Sequence, residues 1–330
     1  MSRGLGDVYK RQIINKLAKN SVKSNKKQYG ILFFTIVLSA FMLFCVFTIG
    51  WTYLDSSRLQ NTRLNGAEYD ITTMNGFTSK QVKSLQSNKN IQNVGMESYA
   101  GFIKSSEFDN TVEIGLLWCD ETFWNNLMSP ARTKLDGHYP QNKNELMVTK
   151  DILKACGNEN LSVGDSIVLT YENNTGVHTD KFVISGIWDG YGDKSAGFVS
   201  KNFYDETGYD LKNDGILCIK LNRNYVLPTT IQSLEKSLNF SDRQIFAPTD
   251  YIENSFKLLL GICGLALVIC LSAYLLIYNI LYLSISGKIR YYGLLQSLGM
   301  TKKQLVRFIT KQMLFIAIAG IFIGNLLGIL

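Results

Sequence analysis

The stretch QYGILFFTIVLSAFMLFCVFTIGWTYL, residues 28–54, decides the fold because it holds 27 consecutive residues without a charge. Two further runs are similar in kind: residues 258–287 comprise 30 uncharged residues, and residues 312–330 comprise 19. A helix needs about 20 apolar residues to cross a hydrocarbon layer about 30 Å thick. The sequence therefore predicts three membrane-spanning helices, although a content of 46% apolar residues would also suit a soluble protein.

The charges are divided unevenly along the chain. Residues 55–253 contain 26 Asp and Glu against 19 Lys and Arg, whereas residues 1–54 and 254–330 together contain 15 basic residues and one acidic residue. Lys and Arg close to a span mark its cytoplasmic side. The pattern predicts a cytoplasmic N-terminus, an acidic middle segment outside the cell and a basic cytoplasmic segment at 288–311. The net charge of +7 is therefore explained by membrane topology and by contact with membrane lipid, and it does not indicate nucleic-acid binding.

A cleaved signal peptide is the alternative for the first span. Its apolar run is far longer than the roughly 7–15 residues of such a peptide, and no A-x-A-like cleavage site precedes Asp55. A retained span is therefore favoured.

The acidic segment, residues 55–253, contains short patterns of both strands and helices. Two runs with period two, DSIVLTY (165–171) and DKFVISGIW (180–188), flank an ENNTG turn as the strands of a β-hairpin do. Thr78 followed by SKQVKSLQSNK is typical of a capped helix, and DETFWNNLM predicts another helix beginning at Asp120. Strands and helices mixed without a strict βαβ order predict an α+β domain.

No catalytic or metal-binding constellation stands out in this domain. The chain has only two histidines, His138 and His178. Cys119, Cys156 and Cys218 lack a C-x-x-C spacing, so neither a disulfide framework nor a zinc site is indicated, although one pair among them remains able to form a disulfide. We therefore expect no catalytic residue, no metal and no cofactor.

The basic segment between the second and third spans, which includes GLLQSLGMTKKQLVRFI (293–309), predicts a helix, a sharp break and a second helix. One apolar stripe at helical spacing lies on a helix that continues from the second span: Tyr291, Leu294, Leu295 and Leu298. Gly299 is suited to end that helix. Thr301 with Gln304 forms a capping box for the next helix, and Met300 with Leu305 is placed to form a hydrophobic staple.

We call this basic segment, residues 288–311, the elbow, and its predicted place at the cytoplasmic membrane surface suits two roles. Two helices whose relative direction is fixed by caps can act as a lever: a cytoplasmic partner binds the apolar stripe, and its motion is transmitted to the next helix. A helix lying on anionic lipid would equally suit Lys302, Lys303 and Arg307. The residues alone do not separate the two roles.

Residues 288–305, KIRYYGLLQSLGMTKKQL, resemble the signature that follows the second membrane helix in FtsX-like (MacB-like) ABC transporter permeases, roughly R-x-x-G-[LI]-L-[RKQ]-[AST]-[LI]-G-x-[TS]-x-x-Q. The matching positions are Arg290, Gly293, Leu294, Leu295, Leu298, Gly299, Thr301 and Gln304. Tyr292 departs from the Glu that many members carry. GHYPQNKNELMVT (137–149) and LSVGDSIVL (161–169) are similar to the family's outer core domain, and NKLAKNSVKSNKK (15–27) is similar to its amphipathic lead-in helix.

The resemblance implies a permease subunit of an ABC transporter that couples ATP hydrolysis by a separate cytoplasmic ATPase to motion of an extracytoplasmic domain. The action would be export or mechanotransmission, for example of antimicrobial peptides, lipoproteins or cell-envelope signals. The chain itself would be no enzyme, and it has no G-x-x-x-x-G-K-[ST] motif. The alternative is a membrane receptor or sensor component with a ligand-binding outer domain. The implied contacts with the ATPase are Arg290, Gly293, Leu294, Leu295, Gln296, Leu298, Gly299, Thr301 and Gln304.

The expected architecture is an α-helical transmembrane bundle, truncated at its C-terminal end, with a large α+β extracytoplasmic domain between spans 1 and 2. The segments are 1–12, which resembles translated adaptor sequence and is set aside; the lead-in helix, 13–27; span 1, 28–54; the outer domain, 55–253; span 2 with a stalk, 254–287; the elbow, 288–311; and span 3, 312–330. We expect a multi-pass protein of the bacterial plasma membrane that acts as a dimer or pseudo-dimer, in some cases with a sensor kinase.

The third span carries a G-x-x-x-G-x-x-x-G face formed by Gly320, Gly324 and Gly328. This spacing lets helix backbones approach closely, so the face predicts helix packing. The sequence leaves open whether the contact lies within one subunit or between two.

Overall fold

The computed structural model describes residues 26–104, 114–191 and 196–329. The chain divides into two compact units, Leu54–Leu258 and Met1–Tyr53 with Leu259–Leu330. The predicted leader and nearly all of the predicted lead-in helix lie outside the described residues.

The described elements follow one another in the order helix, mixed sheet domain, three helices. They are α1 (Lys26–Asn65), β1 (Ile71–Met74), α2 (Ser79–Gln86), β2 (Ile91–Lys104), β3 (Ile114–Cys119), β4 (Arg132–Gly137), β5 (Glu145–Thr149), α3 (Lys150–Ala155), β6 (Ser166–Asn173), β7 (Gly176–Gly190), β8 (Ala196–Val199), α4 (Lys201–Tyr204), α5 (Leu211–Asp214), β9 (Ile216–Leu221), α6 (Pro228–Ser237), β10 (Ile245–Pro248), α7 (Asp250–Ser286), α8 (Ile289–Ser297) and α9 (Lys302–Ile329).

Three of these helices, α1, α7 and α9, are long and apolar enough to cross a membrane. All four prolines of the chain lie between residues 130 and 248, so none interrupts the backbone hydrogen bonds of these helices. All three helices are longer than the uncharged runs that predicted them: α1 continues to Asn65, α7 already begins at Asp250, and α9 already begins at Lys302. The predicted fold class, three apolar helices with an α+β domain between the first and second, is confirmed.

The domain between α1 and α7 is built on one sheet of ten described strands. Along the main path the order is β10-β1-β9-β2-β3-β8-β5-β7-β4, while β6 pairs with β2 and β7. The β3–β8 and β5–β7 pairs are parallel, and the other pairs are antiparallel. The predicted hairpin is confirmed: β6 and β7 pair from Ser166 opposite Val183 to Asn173 opposite Gly176.

Local signals behave in two ways in this domain. Thr78 caps α2 with the reciprocal bonds of a capping box with Gln81, as predicted. The helix predicted to begin at Asp120 is different in kind: residues Phe123–Leu127 form a π-helix, closed by a 2.8 Å bond from the Met128 N–H to the Phe123 carbonyl. Phe123 and Leu127 of this wider helical turn are buried against the sheet beside Gly95. A Cβ added at Gly95 would lie within 2.9 Å of both residues, so a side chain at this position has no room.

Both long helices contribute their outer ends to the core of the domain. Ile252, in the first turn of α7, is fully buried in a cluster with Ile71 and Ile219. Near the end of α1, Leu54 and Thr62 are buried. The ends of α1 and α7 are therefore part of the domain's packing.

An ionic network lies next to the end of α1. The Lys220 ammonium lies 3.2 Å from the Glu68 carboxylate and 3.5 Å from that of Asp70, and Arg58 of α1 lies 3.6 Å from Glu68. Asp70 also accepts the N–H of Leu221 at 2.8 Å. Because Asp70 is buried and Lys220 is its cationic partner, loss of Lys220 would leave the Asp70 carboxylate as an uncompensated buried charge.

Candidate functional site

The segment after the second apolar helix is a separate short helix. The prediction that the second-span helix continues as far as Leu298 is wrong, because α7 ends at Ser286 and α8 begins at Ile289. Lys288 has φ −112° and ψ 16°, which is outside the helical range. Gly287 is the sequence signal that could have indicated this break, since glycine is the weakest helix former after proline.

The C-terminal end of α8 has the hydrogen bonds of a Schellman motif. The Gly299 N–H donates to the Gln296 carbonyl, and the Met300 N–H donates to the Leu295 carbonyl, both at 3.0 Å. Gly299 has φ +96°, a conformation that side chains other than glycine rarely adopt. The predicted helix end at Gly299 is confirmed.

The start of α9 is fixed in the same specific way. The Thr301 N–H donates to the Gln304 side-chain oxygen at 2.9 Å, and the Gln304 N–H donates to the Thr301 hydroxyl at 3.4 Å. These two bonds are the predicted capping box, which is therefore confirmed. The staple between Met300 and Leu305 stays a prediction. Two caps thus enclose the four residues between α8 and α9, residues 298–301, and determine how the chain turns.

The predicted apolar stripe of α8 is divided between two faces. Leu295 packs inward against Tyr292 and Phe308, in a cluster completed by Ile285, Leu305 and Ile309. Leu294 and Leu298 face outward, with 59% and 77% of their surfaces exposed. Of the residues predicted to contact the ATPase, Leu295 belongs to this cluster, and Gly299, Thr301 and Gln304 belong to the two caps. Those outside the caps and the cluster are exposed: Arg290, Gly293, Leu294, Gln296 and Leu298.

A polar cluster that the sequence did not indicate lies beside this break. The Tyr29 hydroxyl of α1 donates to the fully buried Gln312 side-chain oxygen of α9 at 2.9 Å. The Lys288 ammonium lies 4.8 Å from the centre of the Tyr29 ring. Neither this ammonium nor the Gln312 amide nitrogen finds a hydrogen-bond acceptor among the described residues. Burial lowers the pKa of Lys288 because it disfavours the charged form.

The glycine face of α9 lies against α1 of the same chain. A Cβ added at Gly320 would come within 2.8 Å of the Ile36 side chain, and one at Gly324 within 2.6 Å of the Val37 carbonyl oxygen. At Gly328 the nearest atom would belong to the Phe44 ring. The absence of side chains at these three positions therefore lets the two helices approach closely.

Comparison with known proteins gives a family match in the C-terminal part of the chain. Residues 263–330 match the model of the FtsX-like permease C-terminal region. This range contains most of α7, the whole elbow and α9. No curated protein matches the chain at a significant level.

Solved structures match more than half of the chain at low identity. The periplasmic region of MacB from Actinobacillus actinomycetemcomitans is 14% identical, with 58% of this chain and 94% of that chain covered and a TM-score of 0.39. The extracellular domain of the ABC-type transporter YknZ from Gram-positive bacteria is 11% identical, covering 55% and 99%, with a TM-score of 0.36. A domain of a permease protein from Porphyromonas gingivalis is 11% identical, covering 59% and 95%, with a TM-score of 0.36.

The elbow, α9 and most of α7 thus lie in the range that matches the family model. The resemblance to FtsX-like permeases, which are membrane components of ABC-type transporters, is confirmed by the match over residues 263–330.

Proposed function

We propose that this chain is the membrane subunit of an ABC transporter and that a separate cytoplasmic ATPase drives it through the elbow, residues 288–311. The observation that carries the proposal is the capped elbow, whose outward face presents Leu294 and Leu298. Two exposed leucines one turn apart on a short helix form an apolar strip of the kind that grooves in partner proteins bind.

The caps favour a lever over a passive connection. A loop that only joins two spans needs neither a glycine at φ +96° nor a reciprocal capping box. Two caps that enclose four residues hold the direction of α9 fixed relative to α8, so a force on α8 moves α9 with it. The lipid-surface role does not require this rigidity, because the lipid contacts of such a helix orient it without a fixed connection to a neighbouring helix.

Gly293 supports close approach by a partner. A Cβ at this position would meet no other atom of the described chain within 4 Å, so the fold itself leaves room for a side chain. Glycine inside a helix costs about 1 kcal/mol relative to alanine. We infer that a partner surface packs against α8 at Gly293, and that this contact offsets the cost of the glycine.

Motion would reach the outer domain through α1 and α7. Neither helix is interrupted by proline, and the ends of both are packed in the domain core, at Thr62 and Ile252. A helix held in this way transmits a displacement along its axis better than a flexible linker. The proposed output is motion of the outer domain, used for export or for mechanotransmission.

In the proposed topology the N-terminus and the elbow are cytoplasmic and residues 55–253 lie outside the cell. Thiol labelling tests it with cysteines introduced at exposed Lys154 and Lys303, in a cysteine-free background. Native Cys119 is unsuitable because only 2% of its surface is exposed. An impermeant reagent added to intact cells should label the Lys154→Cys variant alone. If the reagent labelled the Lys303→Cys variant alone, the elbow would lie outside the cell, which would contradict the proposed topology and remove the basis of the proposal.

The partner is tested by recovering the full-length chain from its native membranes. We expect an ABC ATPase with a phosphate-binding loop to co-purify, together with a second copy of the permease. ATP hydrolysis by that ATPase should depend on the permease. Recovery of a histidine kinase without any ATPase would instead support the receptor alternative and contradict the proposal.

A further inference from the structure

The outer domain contains a polar cleft of about 500 Å³ that the proposed coupling role does not use. It lies where the start of α2, the start of α5 and the end of α6 come together, next to the turn before β10. A volume of this size falls in the range of small-molecule sites. Three of its lining residues are cationic, Lys80, Lys212 and Arg243, and none of the described residues that line it is an Asp or a Glu.

The three cations are available to a ligand. None of them forms an ion pair with any residue in the described parts of the chain. The nearby carboxylates of α5 are already engaged: Asp210 accepts the backbone N–H of Lys212 at 3.1 Å, and Asp214 accepts that of Asp210 at 2.9 Å. The surrounding segment, residues 55–253, has an excess of acidic residues. An anion would therefore be repelled by much of this domain and attracted to the cleft.

The floor of the cleft is fixed by a pair of amides. The side chains of Gln81 and Gln244 exchange hydrogen bonds at 3.1 and 3.2 Å. Gln81 also donates to the Leu238 carbonyl at 3.1 Å, and Gln244 donates to the Gly76 carbonyl at 2.7 Å. Gln81 is more than nine-tenths buried. These bonds join the two sides of the cleft, so its shape is present before any ligand binds.

Two strained residues line the same cleft. Asn75 and Asn239, with φ +64° and +45°, are the non-glycine residues with positive φ in the described chain. Backbone strain of this kind collects at functional sites. The Asn75 amide donates to the Arg243 carbonyl at 2.8 Å, which anchors the backbone beneath the free guanidinium.

We propose that this cleft binds an anionic ligand that carries phosphate groups. A guanidinium fork and two ammonium groups, with amides and hydroxyls beside them, offer donors to the several oxygens of a phosphate ester. A single carboxylate would leave much of this donor set unused. The ligand is either a soluble phosphate ester or the headgroup of a phospholipid. The inference does not rest on the coupling role, because binding requires no ATPase.

The test uses the full-length chain in nanodiscs of zwitterionic lipid, because detergent would dissolve the vesicles used as one probe, and it measures binding by calorimetry and by the unfolding midpoint. The probes are pyrophosphate, sn-glycerol 3-phosphate, vesicles containing phosphatidylglycerol, and citrate. The triple variant Lys80→Ala, Lys212→Ala, Arg243→Ala removes the cleft's cations. The matched control, Lys134→Ala, Lys154→Ala, Lys181→Ala, removes the same charge at exposed positions outside the cleft. Both variants keep the basic cytoplasmic segments, so anion binding there cancels in the comparison.

We expect at least one phosphate probe to bind the wild type and the control alike. The cleft triple variant should weaken that binding by roughly a thousandfold, about tenfold for each cation lost, since charged hydrogen bonds are of this strength. Binding of glycerol phosphate would identify a soluble source, and binding of vesicles alone would identify a lipid source. The proposal is overturned if no phosphate probe binds, if both triple variants weaken binding equally, or if citrate binds as tightly as the phosphate probes.

Discussion

The two outward leucines of α8 give the sharpest prediction, because a third leucine on the same short helix serves as their control. We consider the double variant Leu294→Ala, Leu298→Ala in the full-length chain. The side chains are 59% and 77% exposed, so their truncation removes little packing within the chain. The expected loss of the subunit's own stability is small, within about 0.5 kcal/mol.

The expected effect on partner binding follows from the same exposed fractions. Complete burial of a leucine side chain stabilises by about 1.5–3 kcal/mol. Covering only the exposed parts of Leu294 and Leu298 would therefore contribute roughly 2–4 kcal/mol in total. Loss of this contribution corresponds to about 30- to 800-fold weaker binding of the ATPase.

The assay is the affinity of the co-purifying ATPase for the permease in lipid nanodiscs, with the unfolding midpoint measured beside it. Leu295→Ala should behave differently, because Leu295 packs against Tyr292 and Phe308. This variant should lower the midpoint, with a cost of about 1–3 kcal/mol. If the double variant binds the ATPase within about threefold of the wild type, the outward face of α8 is not the docking surface.

Three further predictions concern stability. Gly299→Ala should cost about 1–2 kcal/mol and reduce stimulation of the ATPase, because its φ of +96° strains any side chain. Gly324→Ala should destabilise the helix pair more than Gly328→Ala in thermal unfolding. At Gly324 the Cβ would meet the Val37 backbone, whereas at Gly328 it would meet a ring that can rotate. Lys288→Met should raise the unfolding midpoint at neutral pH, because it removes a buried cation without an acceptor. Burial lowers the pKa of Lys288 below its ordinary value of 10.5, so the unfolded chain binds more protons and wild-type stability should rise with pH up to about that value.

Each of these predictions has a distinct contrary result. Gly299→Ala with unchanged stability would mean that the Schellman turn adapts without cost. Equal midpoints for the Gly324 and Gly328 variants would argue against backbone contact between α1 and α9. A gain from Lys288→Met that stays constant above pH 10.5 would show that the charge of this side chain is not its cause.

The turn between α8 and α9 was the most predictable part of the chain, because its signals are local. Gly299, Thr301 and Gln304 act through hydrogen bonds within five residues of themselves, so their spacing in the sequence is sufficient evidence. The apolar helices were predictable for a similar reason, since a long run without charges leaves few other solutions. The capped helix after Thr78 and the β6–β7 hairpin belong to the same class.

The features that were missed depend on contacts between distant segments. Leu295 and Leu298 look equivalent on a helical wheel, and only the position of Phe308 on α9 separates an inward face from an outward one. The Tyr29–Gln312 bond joins residues at opposite ends of the chain. The strands β1, β8 and β10, each four residues long, are too short to show a period. The cleft in the outer domain gathers its cations from separate elements, which no motif could reveal.

The central claim is that an ATPase contacts the outward face of the elbow, and photo-crosslinking in native membranes tests it most directly. A photoreactive residue is placed at Leu298, and as a control at Phe322 on α9, which is 69% exposed in an apolar helix. We predict that the probe at Leu298 forms a crosslink to an ABC ATPase and that the probe at Phe322 does not. A probe at Leu298 that reacts only with lipid would contradict the account.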